Sequence, residues 1–371
     1  MASRLPGAKR VDAFVLHRRE GLAVELERAR IGRSWLTPIS ELFVCQHHPF
    51  PTIDVENWPL QVVGGDGHQV QLDGRQLTQL EPQTCTSILQ CSGNGRAFAA
   101  HQMMESRVPN WAVGAVGNVC WGGAALSDVL ELADARLAGA RFVTVRGADP
   151  LPQDVPTSES VVERSVPLED ALADGLLVWE VNGEPLPLVH GGPLRFVLPG
   201  YFGINNVKWV GSLQLTAKES AARMQRSAYR VRPVGAPAAA HHATMWRMQV
   251  KSFPTFAERC RRPGGERVIE VAGVSFAGDH GIADVAISVD GGNRWQPAQF
   301  DDHQTRFGWR RWHAAVPDPG GEAVHVASRA VDGQGTQQPE HSPVNERGYG
   351  NNGWAAHRLA LVEPTGSSPS R

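Results

Sequence analysis

The feature that most constrains this chain is a change of pattern at residues 230–242, where RVRPVGAPAAAHH is rich in Pro, Ala and Gly. Such a composition is typical of a linker. Before it, short strand-like runs alternate with glycine and proline turns, and after it the runs are all strand-like. We therefore predict an N-terminal lead-in at 1–39 and two domains, at 40–232 and 233–371.

The first part of the chain carries two helix signals and several strand signals. A loosely periodic stretch at 21–32 (GLAVELERARIG) favours a short helix in the lead-in, and a stronger amphipathic pattern follows Gly123. Residues 86–90 predict a strand that enters a turn, and residues 207–215 predict a second strand by period-two alternation. The apolar positions predicted to face the core from the stronger helix are Leu126, Val129 and Leu130.

Beyond the linker, short strand-like runs recur at near-regular spacing. An Asp-Gly turn at 290–293 between two such runs is a strong hairpin signal. Several short strands of this kind predict a β-sandwich of the immunoglobulin type. Trp295, Trp309 and Trp312 belong either to its core or to an interface, and core packing is favoured. The predicted strands cover residues 268–271, 285–289, 307–312 and 324–328.

Composition excludes some classes of protein. The formal net charge is −2, which argues against a general nucleic-acid binder because such proteins need a basic face. The sequence contains no run of about 18 apolar residues, so it does not predict a membrane span. The five cysteines form no CxxC motif, and the N-terminus has basic residues without an apolar stretch behind them. We expect a reducing, cytoplasmic compartment for the chain as written, or a periplasmic one if a leader was removed.

The most informative cysteine is Cys91, which stands where a strand breaks into the turn CSGNG. Gly93 and Gly95 allow the backbone to approach a ligand closely. A thiolate exposed from such a turn suits a soft metal or acts as a nucleophile, whereas composition alone favours an inert buried cysteine. Spacing does not decide between these readings. Zinc-protease, P-loop and dinucleotide-binding motifs are absent from the sequence.

Three blocks of sequence, in this order, resemble the molybdenum domain of the sulfite oxidase family. They are ILQCSGNGRAF at 88–98, PNWAVGAVGNVCWGGAALSDVL at 109–130 and WEVNGEPLPLVHGGPLRFVLPGYFGINNVKWVGSL at 179–213. SVDGGNRW at 288–295 resembles the immunoglobulin-like dimerisation domain of the same family. The resemblance implies an α+β chain: a mixed α/β molybdopterin domain followed by an all-β immunoglobulin-like sandwich that forms a homodimer.

The resemblance implies a molybdenum–molybdopterin cofactor and a set of residues that hold it. Cys91 matches the family's thiolate ligand to the metal. Basic residues match positions that grip the pterin and its phosphate, which is reasonable because a buried phosphate needs charge-assisted donors. The implied cofactor-binding residues are His47, Cys91, Asp149, His190, Arg195, Asn206 and Lys208.

The resemblance also implies a pocket for a small oxyanion. Arg96 and Arg347 would neutralise its charge, Tyr229 would hydrogen-bond the substrate, and Trp111 would shape the pocket. Taken alone, each arginine could be a surface or phosphate contact, and the two aromatic residues could be ordinary core.

Cys45 departs from the family, which usually has an arginine at this position, two residues before the histidine of FVCQHH. A charge-assisted hydrogen bond contributes about 1.5–3 kcal/mol, or about one to two powers of ten in affinity. Either sulfite binds more weakly here or the substrate differs. Cys45 could be a second thiol that faces the pocket, although a cysteine packed in the protein interior is the favoured interpretation.

The function implied is oxidation of sulfite to sulfate by oxygen-atom transfer. No haem-binding segment is present in the sequence, so we expect a separate electron acceptor, a cytochrome or a small oxidant. Alternatives are oxidation of carrier-bound sulfur, as in the sulfane dehydrogenase branch, nitrate reduction, and a scaffold protein that kept the fold without the metal.

Overall fold

The structure is a computed structural model. It describes residues 4–5, 9–18, 22–46, 48–53, 58–99 and 108–362. We call the part up to residue 232 the N-terminal half and the part from residue 233 the C-terminal half. His47, predicted to contact the cofactor, lies outside the described residues.

The lead-in forms strands, and the helix predicted at 21–32 is wrong. Ala23–Leu26 is a strand whose four residues are all buried, because it lies between Phe14–Arg18 and Val44–Cys45 in an antiparallel sheet. The spacing of Val24 and Leu26 is therefore the period of a strand. A two-stranded hairpin of Arg4–Leu5 and Lys9–Arg10 precedes this sheet.

A five-stranded sheet forms one side of the N-terminal half. Its strands, in spatial order, are Glu163–Pro167, Phe142–Gly147, Val210–Thr216, Leu60–Val63 and Gln69–Leu72. The strand predicted from residue 207 begins only at Val210, because Trp209 has φ +50°, which no regular strand adopts.

A second five-stranded sheet carries the cysteine turn. Gln83–Gln90 pairs with Val116–Ala125 in continuous antiparallel register, so the strand predicted at 86–90 is confirmed and ends where Cys91 begins the turn. The strands of this sheet are Gln83–Gln90, Val116–Ala125, Leu176–Val181, Glu184–Pro185 and Arg195–Val197.

The helices of the chain are short. The predicted helix after Gly123 is confirmed as Leu126–Leu132, with its three predicted apolar positions buried. The other α-helices are Gly74–Leu77, Thr157–Ser160 and Leu168–Asp174, and Met224–Ala228 is a π-helix. Single 3₁₀ turns are Val11–Ala13, Arg28–Arg30, Ile39–Glu41, Arg96–Phe98, Leu188–His190, Gly203–Asn205 and Trp354–His357.

The C-terminal half is a sandwich of two antiparallel four-stranded sheets, which confirms the predicted fold class. Trp309 and Trp312 are each 1% exposed, so both belong to the packed interior. One sheet contains Lys251–Arg261, Arg267–Phe276, Arg310–Pro317 and Gln299–Phe300. The other contains Gln296–Pro297, Ile282–Ser288, Ala323–Asp332 and Leu359–Val362.

The two halves share apolar packing. Arg230–Val231 and Ala243–Thr244 form a two-stranded pair that closes the predicted linker into a loop. One buried apolar cluster joins Val24 of the lead-in, Ile88 of the cysteine strand and Phe253 of the sandwich. No helix among the described residues has the length and hydropathy needed to cross a bilayer.

Candidate active site

A cleft in the N-terminal half collects most of the residues singled out from the sequence. It holds about 720 Å³ of empty space, a volume that includes its mouth open to solvent. The sequence-predicted residues that line it are Cys45, Cys91, Asp149, His190, Arg195, Asn206, Lys208 and Tyr229.

Cys91 lies at the first position after its strand. Its N–H donates to the Ala115 carbonyl at 3.0 Å, and its own carbonyl accepts from the Asn94 N–H at 3.0 Å, which closes the turn. Gly95 has φ +97°, a conformation that favours glycine. A Cβ there would stand 2.9 Å from His357 Nε2, so both the backbone and the available space require glycine.

Cys45 and Cys91 form a thiol pair in the wall of the cleft. A hydrogen bond from Cys45 lowers the pKa of Cys91, with further help from the Gly93 backbone and the charge of Arg96. The same hydrogen bond, together with burial, holds the pKa of Cys45 well above its usual range. Cys91 is therefore the member of the pair disposed to be a thiolate, which is the form that binds metals.

Arg96 begins the 3₁₀ turn after the cysteine and is only 6% exposed. Its Nε donates to the Arg347 carbonyl at 2.7 Å, and its Nη1 donates to the Pro109 carbonyl at 2.6 Å. These two bonds fix the plane of the guanidinium beside Cys91. Arg347 thus contacts Arg96 through its backbone carbonyl. Burial raises the pKa of the Tyr349 hydroxyl, and the positive charge of Arg347 partly offsets that rise.

Four side chains from both halves form a stack behind the thiols. Tyr229 and Tyr349 lie with their ring centres 5.4 Å apart and their planes at 15°. The guanidinium of Arg96 lies 5.4 Å from the centre of the Tyr349 ring, and that of Arg164 lies 5.7 Å from the centre of the Tyr229 ring. Burial holds the pKa of Tyr229 well above its usual range, so its hydroxyl keeps its proton at neutral pH.

Trp111 is 1% exposed and is held by the N-terminal sheet. The His17 ring packs edge-on against it, with ring centres 4.8 Å apart. Glu25, itself 2% exposed, lies 2.7 Å from His17 Nε2 and accepts the N–H groups of Ala112 and Gly114 at 3.0 and 2.9 Å. The residues predicted as a lead-in therefore position the loop that carries this tryptophan.

The wall of the cleft also carries two basic side chains. Arg195 is 4% exposed and donates from Nη1 to the His190 carbonyl at 2.8 Å, and burial lowers its pKa to about 9. Lys208 Nζ donates to the carbonyls of Cys45 and Val189 at 3.4 and 3.3 Å. Burial and the charge of Arg195 lower the pKa of Lys208 to about 7. A bound anion would reverse both shifts by favouring the charged forms.

Two further predicted residues lie in the wall of the cleft. Asp149 accepts from Gln46 Nε2 at 3.4 Å, and burial raises the pKa of its carboxyl group. Asn206 accepts the Leu198 N–H at 2.6 Å and donates to the Tyr201 carbonyl at 3.3 Å. The side chain of Asn206 therefore stabilises the turn between Leu198 and Tyr201, and the residue lies in the wall of the cleft.

The residues present fit a molybdopterin cofactor. Arg195 Nε and Ser92 Oγ are buried and have no hydrogen-bond partner among the described residues, although both side chains line the cleft. Buried donors of this kind call for a polar ligand. With Lys208 and His190 they provide donors for a phosphate and a polar ring system, and Cys91 provides the soft sulfur ligand.

Sequence reasoning missed three members of the site. Arg164 is fully buried and donates from Nε and Nη2 to Asn205 Oδ1 at 3.2 and 3.0 Å. It lies in the observed strand Glu163–Pro167, which was not predicted from the sequence. Tyr349 follows Arg347 by two residues and is one of only three tyrosines in the chain. The support that Glu25 gives to the Trp111 loop had no local signal, because Ala112 and Gly114 are more than 80 residues away from it.

Comparison with known proteins matches each part of the chain to a known domain family. The family of oxidoreductase molybdopterin-binding domains matches residues 47–224, and the family of molybdenum-cofactor oxidoreductase dimerisation domains matches residues 243–363. Over 98% of this chain and 90% of the other, the fold resembles that of the sulfane dehydrogenase SoxCD from Paracoccus pantotrophus, with a TM-score of 0.76 and 23% identity.

Relatives by sequence include two sulfite oxidases. The Arabidopsis thaliana enzyme is 30% identical over 95% of this chain and 94% of its own length. The mitochondrial enzyme of Homo sapiens is 31% identical over 89% of this chain, and the chain spans 62% of its length. With both domain families matched in order, the chain belongs to the sulfite oxidase family of molybdopterin oxidoreductases.

Proposed function

We propose that this protein oxidises sulfite to sulfate with a molybdopterin cofactor and passes the electrons to a separate acceptor. The observation that carries the proposal is one cleft lined by Cys91, Tyr229, Arg195 and Lys208, with the Arg96 guanidinium lying against the backbone of the cysteine turn. A thiolate ligand, an anion-binding cation and a phosphate-binding end are the three parts that this reaction needs.

The cofactor would be held by residues with distinct tasks. Arg195 and Lys208 bind its phosphate, His190 and Asp149 contact its ring system, and Cys91 ligates the metal. Molybdenum on its pterin supplies two-electron redox chemistry and oxygen-atom transfer, which protein side chains do not supply. The protein fixes the position and the electrostatic surroundings of that group.

Around the substrate the residues bind and orient the anion. Arg96 presents a guanidinium whose plane is fixed by its bonds to the Arg347 and Pro109 carbonyls, so it can bind sulfite oxygens without being reordered. Tyr229 keeps its proton and donates a hydrogen bond. The buried ring of Trp111 excludes water and strengthens these charge interactions.

The proposal extends to partners. The electrons would leave to a cytochrome or a small oxidant, and the C-terminal half would form a homodimer, which the match to dimerisation domains supports.

The test is elemental analysis of the purified protein combined with sulfite turnover using ferricyanide and cytochrome c as acceptors. We expect stoichiometric molybdenum, and we expect Cys91→Ser to lower kcat for sulfite at least a thousandfold with an unchanged circular dichroism spectrum. Cys260→Ser, in the strand Lys251–Arg261 of the sandwich, is the matched control and should retain activity. A molybdenum-free native protein, or an active Cys91→Ser variant, would refute the proposal.

A second candidate function is oxidation of carrier-bound sulfur. Cys45 favours it, because a neutral thiol stands in the cleft wall at the position where the family resemblance implies an arginine, so the pocket is less cationic. A substrate sulfur atom attached to a carrier has less charge to neutralise than free sulfite. The likeness in fold to a sulfane dehydrogenase is compatible with this candidate but shows only the fold.

Two measurements separate the candidates. Under the sulfite proposal, Cys45→Arg should lower the KM for free sulfite by about tenfold, since one added charge-assisted bond contributes about 1.5–3 kcal/mol. Under the alternative, a protein persulfide should have a higher kcat/KM than sulfite in the wild type, and Cys45→Arg should lower that value. Cys45→Ser, which adds no charge, is the control.

A further inference from the structure

Residues of the C-terminal half donate hydrogen bonds to the turn that carries Cys91. Lys251, in the first long strand of the sandwich, is only 2% exposed. Its Nζ donates to the Asn94 carbonyl at 3.3 Å and to the Asn351 carbonyl at 2.8 Å. Asn94 is three residues after Cys91, so a buried amino group of one half donates a hydrogen bond to the cysteine turn of the other.

Two neighbouring contacts act on the same turn. Asn351 Nδ2 donates to the Gly95 carbonyl at 2.9 Å, and the Gly350 N–H donates to the Ser92 carbonyl at 2.9 Å. Carbonyls on both sides of Asn94 therefore also accept hydrogen bonds from the C-terminal half. Because Lys251 bonds to the Asn351 carbonyl as well, it ties the segment that makes these contacts to the turn that receives them.

A lysine in this place needs an explanation, since burying an ammonium group is expensive. No ion pair joins Lys251 to a carboxylate among the described residues. The nearby titratable groups are cationic or neutral: Arg28 opposes its charge, and Lys251 in turn helps to keep His357 uncharged. The compensation comes from two carbonyl groups, and both belong to the contact between the halves.

The shape of this turn sets the position of Arg96. A Cβ on Gly93 would stand 2.5 Å from Arg96 Nη2, so the guanidinium lies directly against the turn backbone. Arg96 Nε also bonds to the Arg347 carbonyl, which precedes Asn351 in the same segment of the C-terminal half. Loosening the turn from this segment therefore moves both Cys91 and the cation that faces the anion.

We propose that Lys251 is a positioning residue for the anion pocket, holding the Cys91–Arg96 turn against segment 347–351 so that thiolate and guanidinium keep a fixed separation. The geometry of the turn does not depend on the identity of the substrate. The effect on sulfite binding rests on the function proposed above.

The experiment compares Lys251→Met, which keeps the length of the side chain and removes its donors, with Lys218→Met at an exposed position outside the turn. In cofactor-free protein, the rate of Cys91 alkylation is followed by peptide mass spectrometry. We expect Lys251→Met to raise it at least fivefold, because the released turn exposes the thiol. In the loaded protein, we expect the KM for sulfite to rise at least fivefold, kcat to change less than twofold, and the Mo(V) electron paramagnetic resonance spectrum to shift.

A folded Lys251→Met variant with the wild-type alkylation rate and the wild-type KM would overturn the proposal, and equal effects of Lys218→Met would do so too. If Lys251→Met does not fold, Asn351→Ala removes the bond to Gly95 and is judged by the same two measurements. If the wild-type protein shows no sulfite turnover, the proposed function fails, and the alkylation rate in cofactor-free protein alone decides the role of Lys251.

Discussion

The proposed site has a cofactor end, which lines the cleft, and an anion end around Arg96, and the two are built in different ways. The cofactor end takes Arg195, Lys208 and His190 from one short segment of the N-terminal half, and its cations rest on backbone carbonyls of nearby elements. The anion end takes Arg96 from the cysteine turn and Tyr349 from the C-terminal half, so it exists only where the halves meet. A change in the cofactor end should therefore alter cofactor content, whereas a change in the anion end should alter KM.

The largest effect that would test this comparison is loss of the cofactor. Arg195→Met removes the buried donor Nε that has no partner among the described residues, along with its charge. We expect molybdenum content below a tenth of the wild-type value, with turnover per bound molybdenum nearly unchanged. Arg75→Met, on the exposed face of Gly74–Leu77, is the control and should bind cofactor normally. Full molybdenum content in Arg195→Met would contradict the division between the two ends.

The next largest expected effect is that of removing the Arg96 guanidinium on the KM for sulfite. Arg96→Met should raise the KM for sulfite by about one to two powers of ten, because a charge-assisted bond of about 1.5–3 kcal/mol is lost. Molybdenum content should stay near the wild-type value. Arg96→Lys retains the charge but cannot make both the Nε and Nη1 bonds, so we expect an intermediate KM. Steady-state kinetics with metal analysis of each sample provide the measurement, and a wild-type KM in Arg96→Met would exclude this residue from the anion site.

A smaller effect sharpens the role of the C-terminal half. Tyr349→Leu removes the ring between Arg96 and Tyr229, and we expect the KM to rise about threefold to tenfold, since cation–π and ring-stacking contacts each contribute about 0.5–2 kcal/mol. Tyr349→Phe keeps the ring and loses only the bond from the hydroxyl to the Ala228 carbonyl at 3.1 Å, so its KM should stay within twofold of the wild type. Equal KM values in the two variants would show that the stack does not position Arg96.

The last expected effect is on stability as a function of pH. Burial lowers the pKa of Lys251 to about 7 in the folded state, against an ordinary value of 10.5. Between these values the unfolded chain binds the proton and the folded chain does not, so this group makes the free energy of unfolding rise with pH by up to about 1.4 kcal/mol per unit. Below pH 7 both the folded and the unfolded chain bind this proton, so the contribution of Lys251 to the free energy of unfolding no longer changes with pH.

Urea unfolding of cofactor-free protein at pH 6, 7.5 and 9 measures this contribution. The wild type should gain stability relative to Lys251→Met as the pH rises above 7, and the two curves should run parallel below it. Parallel curves over the whole range would mean that Lys251 is not desolvated in the folded protein.

The cysteine turn and one of the helices could be predicted from local patterns in the sequence. Cys91 stands where a strand meets a glycine turn, and Leu126, Val129 and Leu130 have the helical spacing that the structure confirms. The helix predicted at 21–32 failed because a four-residue strand that is buried on both faces resembles a loosely periodic helix. Its burial depends on the two strands beside it, and their positions are not a local property of the sequence.

The amino-acid sequence alone determined the order of the two folds, the cysteine turn and the types of residue available for an anion and a phosphate. These depend on spacing along a few neighbouring residues, which the chain carries in any environment. Only the tertiary structure decided that Glu25 supports the Trp111 loop, that Tyr349 completes the stack on Tyr229, and that Lys251 grips the cysteine turn. Those contacts join residues far apart in the chain, and their energies come from burial and charge that exist only after the halves pack together.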